Sequence, residues 1–320
     1  MILSSAPGKL FLSGEYAVME GAPALVMPVS QRAIVSREEG DDWRTRADRD
    51  LALPYHEIPL VKSVCDELSR RNLSFTEPEG GLCLDTRAFF TKTEVYHEVT
   101  KLGLGGSAAL TVALLKALFP KPANWSQYEY LVLAMACHQR FQGGLGSGAD
   151  VTVAVLDDLV RFRIAEEPVT ARLPSGLAFG FVWTGRGAGT VSYLDRMQQF
   201  KVSDPGQYKA LMHPLIPIAT DLSRPGIGED AFRRGIAEMD SCLNALSERS
   251  TGFYTDIHVE LRDLVTRSGG VYKPSGAGGG DFGMVVATDA DHLKELNEML
   301  AATGFRADLV STDRFMQETE

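Results

Sequence analysis

The order of apolar and polar positions along the chain predicts short strands that alternate with longer helices. Apolar runs and β-branched residues predict strands at residues 9–18, 24–29, 151–155, 159–163, 178–184, 282–287 and 306–311. Helical spacing of apolar positions predicts helices at residues 56–71, 103–118, 126–141, 204–215, 229–249, 254–267 and 290–302. Residues 37–49 are charged and without period, which predicts a polar hairpin or loop.

Two of these helices carry further signals. The helix at 103–118 starts with glycines and is apolar on every side, which predicts a buried central helix. The next helix opens with Ser126 and Glu129 in the spacing of a capping box, and glycines at 143–144 end it. A Pro-Ser-Gly stretch at 174–176 predicts a division into residues 1–172 and 173–320. The strand and helix order predicts an α+β fold, with a ferredoxin-like sandwich in the second part.

Composition and charge narrow the function classes for this 320-residue chain. A net charge of −10 argues against nucleic acid or an anionic membrane as the main partner. It leaves a phosphorylated small molecule open, because phosphate sites depend on local N–H groups and cations. We see no apolar run of about 20 residues and no secretory signal, so a cytoplasmic location is expected. The four cysteines form no CxxC pair, which favours free thiols.

The strongest chemical signal is the glycine-rich stretch at residues 101–109, directly before the buried helix. Glycines let the backbone approach a ligand closely, and the start of a helix offers free N–H groups and a positive dipole end. The stretch therefore predicts phosphate binding, with a tight structural turn as the alternative. It lacks the Gly-Lys-Ser/Thr ending of a Walker A loop, and no βαβ unit at the chain start surrounds it as in a Rossmann fold.

Two more glycine clusters lie at residues 142–151 and 273–283. The first ends in one carboxylate, Asp150, which is either a functional group or an ordinary turn residue. The second is longer than a hairpin connection needs, so it predicts backbone folded around a ligand, with a flexible loop as the alternative.

Together with the opening residues 6–18 (APGKLFLSGEYAV), these clusters resemble the ordered motifs of the GHMP kinase superfamily. The resemblance spans the chain from about residue 4 to the last predicted strand. It implies a two-domain GHMP kinase fold, with a ribosomal-protein-S5-like N-terminal domain and a ferredoxin-like C-terminal domain. The pattern HQRFQGGLGSGADV at 138–151, the stretch at 182–190 and KPSGAGGGD at 273–281 are similar to the phosphomevalonate kinase branch.

The resemblance implies transfer of a phosphoryl group from ATP, with Mg²⁺, to mevalonate 5-phosphate. Lys9 and Asp150 would form the catalytic pair. The residues implied to bind the ATP phosphates are Lys101, Gly103, Leu104, Gly105, Gly106, Ser107 and Ala108, with the Ser107 hydroxyl near Mg²⁺. The residues implied to bind the acceptor are Ser147, Gly148, Thr184, Thr190, Ser275, Gly276, Ala277 and Gly278.

Two positions depart from the motifs. Gly106 stands where the second motif usually has a serine, and Gln139 stands where mevalonate kinases place a metal-binding glutamate. His138 is interpreted as a packed helix residue rather than a catalytic one. The alternatives are another GHMP kinase, such as a mevalonate kinase, or a non-catalytic paralogue that binds metabolites. A monomer or a homodimer is expected.

Overall fold

The computed structural model of the chain describes residues 1–40, 43–75, 80–92, 99–144, 146–187, 190–250, 252–308 and 315–316. Their contacts form two compact units. The first unit contains Met1–Lys9 and Pro28–Asp158, and the second contains Leu10–Met27 and Leu159–Glu320. The domain division predicted after residue 172 stays a prediction, and the contact units change over after Asp158.

The first seven strands are β1 (Ile2–Ser13), β2 (Ala24–Arg37), β3 (Trp43–Arg46), β4 (Asp50–Leu53), β5 (Leu82–Asp85), β6 (Phe90–Lys92) and β7 (Val99–Lys101). The first four helices are α1 (Pro59–Arg70), α2 (Gly106–Leu118), α3 (Gln127–Gln142) and α4 (Ala149–Leu156). Strands β1 and β2 contribute residues to both units. Within the first unit, β2 pairs antiparallel with β5, β5 pairs parallel with β3, and β3 pairs antiparallel with β4.

Helix α2 contacts α1, α3 and α4, and its apolar side chains from Ala108 to Leu118 are buried except for the half-buried Leu110 and Ala117. The predicted buried central helix is therefore confirmed. The predicted capping box is also confirmed, because Glu129 N donates to Ser126 Oγ at 3.1 Å and Ser126 N donates to Glu129 Oε2 at 2.7 Å. Helix α3 ends at Gly143, whose φ of 69° is left-handed.

The strand predicted at residues 151–155 is wrong, because these residues lie in helix α4. The run is short, apolar and β-branched, and periodicity does not distinguish a buried strand from a buried helix of that length. Packing decides it, since α4 contacts α2 and α3 and is buried from Val151 to Val155. Asp150 consequently lies in the first turn of a helix.

The later strands are β8 (Val160–Phe162), β9 (Val169–Thr170), β10 (Ala178–Trp183), β11 (Val271–Ser275), β12 (Phe282–Ala287) and β13 (Arg306–Asp308). The later helices are α5 (Thr190–Ser203), α6 (Pro205–Met212), α7 (Leu215–Leu222), α8 (Glu229–Arg249), α9 (Asp256–Arg267) and α10 (Ala290–Ala302). The helix predicted at 204–215 is confirmed as α6, but it ends earlier, at Met212. Helix α7 begins after Pro214, which cannot donate a helical N–H. Helix α5 was not predicted.

The second unit is built on an antiparallel sheet in the order β11-β12-β10-β13. Helices α8 and α9 contact β11, and α10 contacts β10, β12 and β13. The core between them is apolar and includes Val182, Leu261, Val265, Tyr272, Val285, Leu293, Leu296 and Leu300. The predicted α+β class is confirmed. Across the described ranges, no helix combines the length and apolarity needed to cross a membrane.

Candidate active site

The glycine loop at residues 103–106 links β7 to the start of α2. Gly103 and Gly105 have left-handed φ values of 68° and 75°, which favour glycine. Gly105 is the N-cap of α2, so the N–H groups of the following turn have no partner within the helix. Free N–H groups at the positive end of a helix dipole are suited to bind phosphate oxygens.

Lys9 is fixed against this loop by two hydrogen bonds. Its backbone N–H donates to Leu104 O at 2.8 Å, and its Nζ donates to Gly103 O at 3.2 Å. The ammonium group is therefore held at the edge of the glycine loop, within the first unit. The Lys9 side chain is half-buried rather than fully exposed to solvent.

Asp150 reaches the same place from α4. A Cβ atom built on Gly105 would lie 3.2 Å from Lys9 Cγ and 3.5 Å from Asp150 Cβ. The glycine is therefore needed for space as well as for conformation, because Lys9, Asp150 and the loop all meet there. A carboxylate in the first turn of α4 is also favoured by the dipole of that helix.

His138 lies beside this group of residues. Its Nε2 is 3.2 Å from Ser107 Oγ, and its side chain is buried. Burial lowers the pKa of His138, the Asp150 carboxylate raises it, and the Lys101 ammonium lowers it further. The ring is therefore neutral near neutral pH. The sequence placed His138 on the helix that leads to Asp150, but its contact with Ser107 depends on tertiary packing.

The cluster that precedes Asp150 folds as a turn into α4. Gly146 and Gly148 have left-handed φ values of 99° and 88°. Ser147 is half-buried, and its Oγ accepts a hydrogen bond from Ala149 N at 3.3 Å. Leu145, in the middle of the cluster, lies outside the described residues.

The remaining predicted site residues lie in the second unit, where the hydroxyl groups of Ser275 and Thr184 have structural partners. Ser275 Oγ donates to Phe11 O at 2.8 Å. Thr184 Oγ1 is 3.1 Å from Asp281 O and 3.2 Å from Arg186 O. Thr190 is the first residue of α5. The hydroxyl protons of Ser275 and Thr184 are thus directed to backbone carbonyls.

The loop at residues 276–280 follows Ser275, and four of its five residues are glycines with positive φ. Tyr16 Oη donates to Ala277 O at 2.5 Å, and the Tyr16 ring stacks on Phe253 at a centroid distance of 4.7 Å. Thr184 and the end of the loop line a cavity of about 450 Å³ together with Arg186 and Tyr254.

A buried ion pair within the second unit joins the opening motif at residues 6–18 to the glycine cluster at residues 273–283. Lys273 Nζ contacts Glu15 Oε1 and also donates to Pro274 O at 2.7 Å. Both side chains are almost fully buried, at 0% and 1% exposure. Sequence reasoning missed this pair, because 258 positions separate its members.

Part of the chain matches a known family, and almost all of it aligns with known kinases. Residues 81–158 match the family described as "GHMP kinases N terminal domain". The chain is 22% identical to a phosphomevalonate kinase of Streptomyces sp. (strain CL190), covering 93% of this chain and 92% of the relative. It is also 22% identical to a mevalonate kinase of Arabidopsis thaliana, covering 95% and 96%.

The structure of Streptococcus pneumoniae phosphomevalonate kinase in complex with phosphomevalonate and AMPPNP matches with a TM-score of 0.73 at 22% identity. That match covers 96% of this chain and 99% of the other. The predicted two-domain fold is therefore confirmed, and so is the resemblance on which it was based.

Proposed function

Because this chain has the GHMP kinase fold and resembles the phosphomevalonate kinases, we propose that it transfers the γ-phosphoryl group of ATP to mevalonate 5-phosphate. The products are mevalonate 5-diphosphate and ADP. The observation that carries the proposal is the meeting of Lys9, Asp150 and the glycine loop around Gly105. Phosphoryl transfer needs a cation, a carboxylate and a phosphate-binding backbone close together, and all three meet here.

The ATP phosphates would bind at this loop, where Gly105 has no Cβ that would crowd Lys9 and Asp150. The N–H groups of Gly106, Ser107 and Ala108 would bind phosphate oxygens, and Lys101 would add a positive charge. Ser107 would supply a hydroxyl ligand to Mg²⁺, which neutralises phosphate charge when it is bound. The described residues contain no cluster of three His, Cys, Asp or Glu side chains for a metal. This suits an ion held mainly by the nucleotide.

Lys9 and Asp150 have different proposed roles in the transfer step. A phosphate monoester loses its second proton near pH 6, so the acceptor oxygen is already ionised at neutral pH. Lys9 would neutralise charge between the acceptor and the migrating group, and Asp150 would orient Lys9 or the acceptor. Positioning and charge neutralisation supply most of the catalysis in such reactions.

Within the first unit, we propose that Ser147 and Gly148 contact the acceptor. The acceptor contacts expected of Thr184, Thr190 and residues 275–278, which belong to the second unit, stay a prediction from the sequence. Since the Ser275 hydroxyl donates to a carbonyl, we assign the acceptor contacts of its loop to the backbone N–H groups of residues 276–278. Gln139, an exposed residue, supports a phosphomevalonate kinase over a mevalonate kinase, because a neutral amide is a weaker Mg²⁺ ligand than a carboxylate.

A second candidate is a kinase that acts on a hydroxyl group, which the match to the Arabidopsis mevalonate kinase supports. A hydroxyl acceptor must lose its proton during transfer, and a general base contributes about 10²–10⁴ in rate. Replacing Asp150 with Asn would then reduce turnover far more than it does with a phosphate acceptor. The two candidates are therefore separated by one variant. A cytoplasmic location and a monomeric or homodimeric state stay predictions.

The test is ADP release by the purified chain with ATP and Mg²⁺, using mevalonate 5-phosphate, mevalonate, homoserine and galactose in parallel. We expect turnover of mevalonate 5-phosphate alone and a loss of about a hundredfold or more in Lys9→Met. Lys62→Met, at an exposed position of α1, is the matched control and should keep full turnover. Turnover of another acceptor instead would refute mevalonate 5-phosphate as the substrate but still support a kinase. ATP binding without any turnover would support the non-catalytic paralogue.

A further inference from the structure

The contact between His138 and Ser107 joins two packed helices of the first unit. His138 lies on α3 and is 3% exposed, and Ser107 lies in the first turn of α2. The 3.2 Å separation of His138 Nε2 and Ser107 Oγ is a hydrogen-bond distance. The imidazole is therefore a fixed partner of a hydroxyl that the proposed function places at the nucleotide.

Ser107 is the only hydroxyl residue between Lys101 and Ala108. The structure explains why position 106 carries a glycine and not a second hydroxyl residue. A Cβ at Gly106 would lie 2.9 Å from Phe89 Cγ and 3.1 Å from Phe89 Cδ1, and Phe89 is buried. A serine at 106 would require the Phe89 ring to move, so one hydroxyl must serve the loop alone.

A single hydroxyl has one hydrogen and two lone pairs, and its rotation decides which of them faces a ligand. To coordinate a cation, the oxygen must direct a lone pair toward it and its hydrogen elsewhere. A neutral imidazole has one donor nitrogen and one acceptor nitrogen. His138 Nε2 is within reach to accept the Ser107 hydrogen.

We propose that His138 is a positioning residue that accepts the Ser107 hydroxyl proton at Nε2 and thereby turns the Ser107 lone pairs toward the Mg²⁺ of the bound nucleotide. This rests on the proposed function, in which Ser107 faces the metal. His138 touches neither ATP nor the acceptor in this role. It fixes the rotation of one hydroxyl.

The experiment compares His138→Phe, which keeps a ring without nitrogens, with His138→Gln, whose Oε1 can still accept. Each is also combined with Ser107→Ala. Calorimetry measures AMPPNP affinity with excess Mg²⁺ and again with EDTA, and the thermal midpoint checks folding. His56→Phe, at an exposed position, is the matched control.

We expect His138→Phe to weaken AMPPNP binding by about fivefold in Mg²⁺ and to leave binding in EDTA unchanged, as for loss of one hydrogen bond. His138→Gln should bind like the unaltered chain. In the Ser107→Ala background, His138→Phe should cause no further loss.

Equal weakening with and without Mg²⁺ would overturn the proposal, and so would a full further loss in the Ser107→Ala background. If the unaltered chain gains affinity from Mg²⁺ but His138→Phe keeps all of that gain, only this inference fails. If the unaltered chain shows no Mg²⁺-dependent binding of AMPPNP, the proposed function fails and this inference fails with it.

Discussion

Replacing Gly105 with Ala tests whether the meeting of Lys9, Asp150 and the glycine loop carries the activity. The added methyl group would lie 3.2 Å from Lys9 Cγ, 3.4 Å from Lys9 Cε and 3.5 Å from Asp150 Cβ. The contact with Lys9 Cγ is tight enough to displace the lysine side chain by a few tenths of an ångström. The left-handed φ of 75° adds strain of about 1–2 kcal/mol in a residue with a side chain.

The matched control is Gly304→Ala. Gly304 has a left-handed φ of 90°, and a Cβ there would have no neighbour within 4 Å. Both variants should lose about 1–2 kcal/mol in the free energy of unfolding, measured by urea denaturation. Only Gly105→Ala should lose turnover, because small misplacements of catalytic groups cost up to about a hundredfold in rate.

The assay is kcat/KM for ADP release with mevalonate 5-phosphate, together with AMPPNP affinity. If Gly105→Ala kept the turnover of the control, the proximity of Lys9 and Asp150 to the loop would not be what drives the reaction. If both variants lost turnover equally, the effect would come from backbone strain and stability alone. Only a selective loss supports the reasoning.

Three further predictions concern stability. Burial raises the pKa of the Asp240 carboxyl from 3.8 to about 6, so the unaltered chain loses stability as pH rises from about 4 to 6. Relative to it, Asp240→Asn should gain about 2–3 kcal/mol in the free energy of unfolding over that pH range, measured by urea denaturation. A difference that does not change with pH would contradict this. Lys273→Met should lower the free energy of unfolding by about 3–5 kcal/mol, because it leaves Glu15 buried without its cation. Adding Glu15→Leu should restore most of that stability, and a double variant as unstable as Lys273→Met would refute this account. Ser126→Ala should cost about 1 kcal/mol through loss of the capping box and leave turnover unchanged, whereas an unchanged thermal midpoint would show that the cap is dispensable.

Local signals predicted the parts of the fold that depend on nearby residues. The capping box at Ser126 and the buried helix α2 were both predictable, because a capping box spans only four residues and α2 is apolar on all sides. Helix α4 was not, because its β-branched residues favour a strand unless α2 and α3 surround them. Where two structures compete for one short apolar run, the choice is made by tertiary packing.

In the candidate site, too, only the features that depend on residues adjacent in sequence were predictable. The glycine loop before α2 was predictable, since a glycine cluster and a following helix are adjacent in sequence. The contact between His138 and Ser107 was not, because 31 positions separate them and only the packing of α2 on α3 brings them together. The role of Gly106 also became clear only when Phe89 was found against it.

The Glu15–Lys273 pair has a consequence for how the protein is made. The ribosome adds Lys273 to the chain 258 residues after Glu15. At translation rates of about 5–20 residues per second, Glu15 waits on the order of ten seconds or more for its partner. During that time the segment Leu10–Met27 cannot complete the unit to which it belongs. The second unit therefore closes only after Lys273 has emerged, and a nascent chain that stalls before Lys273 would present a largely apolar segment with Glu15 unpaired to chaperones and proteases.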